Sequence, residues 1–272
     1  MTDDTRKPRR IVMARREVAL GAMAAAATVT AGQAAVLAPV ADDTAKWVHT
    51  ASGEGEGEGE GEGAAPLDPE IRYLRDLGFM EGHLRAGVAL YETGDTEAAK
   101  THMGHPIKEK YAAVAQILQA EGYGNLKAEI GALAEAAEGG AELAEIRWLH
   151  QRVTATISAA RGEKPAASQL RGLVELTRIA GDEYTLATKG GDVSNLHEYQ
   201  DAWGFMQVVR DEAARLAVGD GPAAGVAERM VGYAETAAAA LGDLQGQGIT
   251  DMDAGILFGA AARMELAAAR LD

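Results

Sequence analysis

Apolar positions between Asp68 and Thr93 recur at spacings of three, four and seven: Leu74, Leu77, Leu84, Val88 and Tyr91. That spacing puts them on one face of a helix. Asp68-Pro69 opens it, a side-chain acceptor for unpaired N–H groups followed by a residue that has none to satisfy. Gly94 ends it, because glycine readily takes the left-handed conformation that closes a helix, and Asp95 or Thr96 caps the next. The second helix is expected to break at His105-Pro106, since proline disfavours helical geometry in the residue before it. A new or kinked helix then carries Tyr111, Val114, Ile117 and Leu118 towards Gly122.

Further helices are predicted at 125–138, 141–161, 166–188, 195–217, 223–241 and 252–270, most of them separated by glycine-containing loops. Asn195 and Glu198 have the spacing of a capping box. No alternating strand pattern and no tight repeat is present. The prediction is an all-α antiparallel bundle of about eight helices over residues 68–272, with Gly139-Gly140 as a candidate junction between two halves.

Composition narrows this picture. Hydrophobic residues make up 47% of the chain but aromatics only 5%, so the core must rely on close packing around small residues. The absence of cysteine excludes disulfides, thiolate zinc sites, iron–sulfur clusters and covalently attached c-type haem. No phosphate-binding glycine loop, nucleophile elbow or serine triad motif is present, so no enzyme chemistry is expected.

The start of the chain reads as an export signal. Arg6, Lys7, Arg9, Arg10, Arg15 and Arg16 precede an alanine-rich apolar run from Val18 to Val40. The segment around Arg15-Arg16 resembles a twin-arginine signal, which implies export of an already folded protein. Cleavage is expected after Ala34 or Ala41, leaving a periplasmic protein with no stable membrane insertion. The alternative is an uncleaved inner-membrane anchor, for which the run is long enough. Without residues 1–41 the chain keeps 20 basic against 38 acidic side chains. Such an acidic surface repels nucleic acid and favours solubility. Residues 42–67 form an acidic linker whose GEGEGEGEGEG core, 53–63, is expected to be an extended tether.

Candidate chemistry lies in two clusters. His102 and His105 are three apart and Glu109 follows four later, so a helix sets all three along one face. His83 on the preceding helix falls at a similar height from the Gly94 turn, so the two short-linked helices bring it towards them. Met103 offers a soft ligand, and Glu81 is a weaker candidate. The second cluster is Asp182, Glu183, His197, Glu198 and Asp201, in which His197 and Asp201 share a face. Imidazoles with carboxylates suit a transition metal in a helical bundle. A ferritin-type di-iron centre is not expected, because a pair of ExxH motifs is missing.

The pattern Gly82-His83-Leu84, Leu90-Tyr91, Gly94, His102-Met103 and His105-Pro106 resembles a group of bacterial periplasmic helical proteins. Tyr184, Gly191, Glu198-Tyr199 and Phe205 resemble the periplasmic helical region of Ftr-type high-affinity iron permeases. The resemblance implies an accessory that holds or delivers iron, with copper or zinc next, to an inner-membrane metal permease. It carries over to His83, His102, His105 and, more weakly, Glu198. A metal-free interaction bundle and a haem-binding or redox-responsive module are the competing readings.

Overall fold

A computed structural model describes residues 66–271 except 190, 239 and 250. The export segment and the glycine–glutamate tether expected within residues 1–65 lie outside the described residues. Among the described residues there are nine α-helices and no strand: α1 (Pro69–Thr93), α2 (Thr96–Glu109), α3 (Tyr111–Ala120), α4 (Leu126–Glu138), α5 (Leu143–Gly162), α6 (Ala166–Ala187), α7 (Leu196–Ala217), α8 (Pro222–Ala238) and α9 (Gly255–Ala268). None of these helices is long and apolar enough to cross a membrane.

The predicted caps fix both ends of α1. Asp68 Oδ1 accepts hydrogen bonds from the backbone N–H groups of Glu70 at 2.8 Å and Ile71 at 3.3 Å. Gly94 takes φ +88°, and the Asp95 side chain accepts from the Ala98 N–H to start α2. Asn195, by contrast, makes no cap bond to the backbone of α7. Its amide instead faces the Glu198 carboxylate at 3.5 Å, so the capping box does not form.

The expected break at His105-Pro106 is corrected by the structure. α2 runs through Pro106 to Glu109, and the interruption falls at Lys110. Proline removes one N–H from the ladder, a local loss that helical neighbours on both sides tolerate near a terminus. The Lys110 N–H still bonds the Pro106 carbonyl, at 3.3 Å. His105 therefore stays in register with His102 one turn earlier.

Among the described residues there are two apolar cores, and they divide after α5 rather than at Gly139-Gly140. One gathers side chains of α1 to α5 and the other those of α6 to α9. The Gly139-Gly140 turn merely joins α4 to α5 within the first core. α1 belongs to both, since Leu77 and Leu84 enter the first core and Phe79 the second. Most of its residues between Tyr73 and Leu90 are consequently buried, on every side rather than on the single predicted face. A central helix needs small residues where neighbours cross it, and Gly82 and Gly87 meet that need. Gly87 lies against Ala99 and Met103 of α2, and Gly82 against the backbone of Phe205 on α7.

The α1–α7 crossing is the tightest. A Cβ added at Gly204 would sit 2.3 Å from the Gly82 carbonyl oxygen, which is backbone and cannot swing aside. Gly204→Ala should cost about 1–3 kcal/mol from overpacking, reduced by the roughly 1 kcal/mol by which alanine favours a helix over glycine. A fall of several degrees in melting temperature is expected by circular dichroism. An unchanged midpoint would show that the overpacking cost is no larger than the helical gain from alanine.

Candidate metal centre

The close crossings of α1 with α2 and α7 decide what their neighbouring side chains can reach. His83 follows Gly82 on α1, and Asp201 lies one turn before Gly204 on α7. α2 brings His102, His105 and Glu109 along one face, and α7 adds His197 and Gln200. Asp201 stands at the centre. Its Oδ1 is 2.5 Å from His83 Nδ1 and 2.8 Å from His102 Nδ1, and its Oδ2 is 3.4 Å from His197 Nδ1. Glu109 borders the group, 3.2 Å from His105 Nδ1 and 3.6 Å from His83 Nε2.

Burial is graded across the centre. The side chains of His83, His102 and Asp201 are at most 2% exposed, whereas His105, Glu109 and His197 are 19%, 25% and 29% exposed. Phe79 and Phe205 pack edge-on to the His83 ring at 4.4 and 5.1 Å and close its inner side. The His102 ring lies parallel to that of His197, with centroids 4.4 Å apart, and His105 is 4.7 Å from His197. Rings this close leave no room for a haem macrocycle between them.

Gln200 fixes the orientation of His102. Its amide donates to the Leu244 carbonyl at 3.1 Å, which turns its Oε1 towards His102 Nε2 at 2.9 Å. An oxygen there can only accept, so Nε2 carries hydrogen, and in neutral imidazole the Nδ1 lone pair is left to face Asp201. A lone pair and a carboxylate oxygen 2.8 Å apart require a cation between them, either a proton or a metal ion.

The electrostatics follow from crowding in a dry site. Burial on its own would raise the Asp201 carboxyl, but His83 and His102 outweigh it and hold the group well below the usual carboxylate range. Burial, reinforced by the neighbouring His83, pushes His105 down to about 3. Burial lowers His197 too, partly offset by Asp201. His197 Nε2 is buried without a hydrogen-bond partner among the described residues. At neutral pH His105 and His197 are thus uncharged, the form a metal requires.

Two sets of donors have their ligand atoms within 4.8 Å of one another: His83, His105 and Asp201, and His102, His197 and Asp201. Each is two imidazoles with one carboxylate. The 2.5 and 2.8 Å contacts are hydrogen-bond lengths. Ligands around a tetrahedral ion with bonds of about 2.0–2.1 Å stand roughly 3.3 Å apart. A metal bound here would displace protons and spread these groups slightly.

The two clusters read separately from the sequence thus form one centre. Glu198 lies at its margin, 4.0 Å from His197 Nδ1, and belongs to neither donor set. Asp182 and Glu183 belong to neither set. Met103 is buried in the first core against Gly87 rather than turned to the histidines. Glu81 pairs with Arg85 and with Arg161, both at 2.7 Å. Gln200 is not among the ligand types that the sequence singles out, although its spacing from His197 places it on the same helical face. Comparisons with family models, with curated proteins and with solved structures give no match.

Proposed function

We propose that this protein binds a transition-metal ion between α1, α2 and α7 and holds or delivers it in the periplasm, as an accessory to metal uptake. The observation that carries this reading is the convergence of His83, His105 and Asp201, from three different helices, within reach of one ion. Glu109 beside both histidines supplies a fourth donor. Two imidazoles and carboxylate oxygens without thiolate suit ferrous iron, and copper and zinc also accept imidazole. Iron is the first candidate, in keeping with the resemblance of the stretch from Tyr184 to Phe205 to the Ftr-type periplasmic region.

The gradient of exposure suits a carrier. Glu109 and His105 meet an incoming ion at the rim, and His83 and Asp201 complete its shell inside. The strongly acidic chain raises the local concentration of cations around that rim. The basic start and alanine-rich run support export, and an inner-membrane metal permease is the proposed recipient.

The test is anaerobic titration of chelator-stripped protein with Fe(II), and with Zn(II) as a redox-silent probe. His105→Ala should weaken binding at least 100-fold, since even an outer hydrogen-bond partner of a ligand is worth about 10–100-fold. Its far-UV circular dichroism should match the parent. If the variant binds Fe(II) and Zn(II) as tightly as the parent, the reading is wrong.

A further inference from the structure

We propose that the centre takes two metal ions, bridged by the Asp201 carboxylate, a step that rests on the metal-binding reading above. The donors fall into two sets that share only Asp201. Ligands of one ion with bonds of about 2.0–2.2 Å lie no more than roughly 4.4 Å apart. Each set, with its ligand atoms within 4.8 Å of one another, comes near that limit by itself, and the four histidines do not join into one set. Asp201 is placed to serve both, because Oδ1 faces His83 of one set and His102 of the other, while Oδ2 faces His197. A carboxylate turned this way spans two ions about 3.5–4 Å apart, as in two-metal sites generally.

The donors are His83, His105 and Glu109 on one side and His102 and His197 on the other, with the Asp201 carboxylate between them. The second side needs one adjustment. The His102 and His197 rings are within 5° of parallel, so their in-plane lone pairs run side by side. His197 is the ring that can turn, being the more exposed and having Nε2 without a partner. Gln200 meanwhile keeps Nδ1 of His102 as the atom presented to the ion.

Charge sets the order of filling. Asp201 and Glu109 together neutralise one divalent ion, whereas the next carboxylate, Glu198, lies only at the margin of the second side, 4.0 Å from His197 Nδ1. A water-derived hydroxide between the ions reduces the excess, with its proton released to solvent. The first ion therefore binds at His83, His105 and Glu109, and the second binds more weakly.

Titration of the stripped protein with Zn(II), followed by elemental analysis after gel filtration, should give two equivalents per chain in two steps. His197→Ala should leave one equivalent, with helical circular dichroism unchanged. Co(II)-loaded parent protein should show magnetic coupling between its two ions. One equivalent in the parent overturns the two-ion proposal and leaves the single-ion reading standing, whereas no binding overturns both. Two equivalents without coupling, or two retained in His197→Ala, would put the second ion elsewhere and overturn the proposal.

Discussion

Asp201→Asn should abolish stoichiometric metal binding while leaving the helices folded. The substitution keeps the size and one carbonyl oxygen of the side chain, so the hydrogen bonds from His83 and His102 still have an acceptor at 2.5 and 2.8 Å. What disappears is the negative charge at the one point all four histidines surround. The second oxygen becomes an NH2 group, which cannot bind a cation. Both donor sets lose their shared member at once, so the expected loss exceeds that of any single histidine variant and should be at least 1000-fold, on the scale of the 10–100-fold known for groups that do not touch the metal at all. Asp201→Ala makes a different prediction. It removes the oxygen that His83 Nδ1 and His102 Nδ1 share, and a buried polar group left unsatisfied there costs about 1–3 kcal/mol in stability. Calorimetric titration with Zn(II) beside urea denaturation separates the two effects. Full binding by Asp201→Asn would mean that Asp201 only orients His83 and His102, and the centre would then rest on His105 and Glu109.

The helices were legible because their ends are marked chemically. Asp68-Pro69 and the Gly94-Asp95 pair are strong local signals, and the structure uses them as written. Pro106 misled because a proline four residues from a helix end removes a single bond, and packing against α1 and α4 compensates for it. Asn195 misled in the opposite direction: its spacing to Glu198 was right, but the extended backbone turns its side chain to the carboxylate.

For the centre, sequence spacing could place His102, His105 and Glu109 on one face, since that depends on a single helix. Bringing His83 to them required only a short turn. Joining Asp201 and His197 to that group depended on a crossing nearly a hundred residues away along the chain, fixed by Gly82 against Gly204. A glycine that permits close approach looks the same in sequence as one that ends a helix. The central position of α1 was hidden for a related reason, because its buried polar residues, Asp76, Glu81 and His83, interrupt the apolar pattern. Glu81 is tolerated there through Arg161, itself buried and paired at 3.0 Å with Glu212. Breaking one partner of such a network leaves a charge uncompensated.

Acid should destabilise the metal-free protein well above the pH at which carboxylates usually titrate. His105 has a folded-state pKa of about 3, lowered chiefly by burial and then by His83, against about 6.5 in the unfolded chain. Between those values the unfolded state binds a proton that the folded state does not, so stability is lost as pH falls through the window from about 6.5 to about 3. His197 and His150 are both lowered by burial and act with the same sign. Asp201, held low by His83 and His102 against the effect of burial, adds a second loss once pH falls below the ordinary carboxylate range. His105 by itself amounts to something on the order of 4 kcal/mol across its window, a large part of the total for a domain of this size. Urea denaturation at a series of pH values between about 7 and about 4 should show the midpoint falling steadily from the upper end of that range. His105→Asn, which cannot titrate, should flatten the slope. Saturating Zn(II) should raise stability at neutral pH by RT ln(1 + [L]/Kd), about 2.7 kcal/mol at 100 times Kd, and make the fall steeper as protons displace the ion. A midpoint independent of pH down to about 4, in parent and His105→Asn alike, would show that the imidazoles of the centre are not buried as the geometry has them.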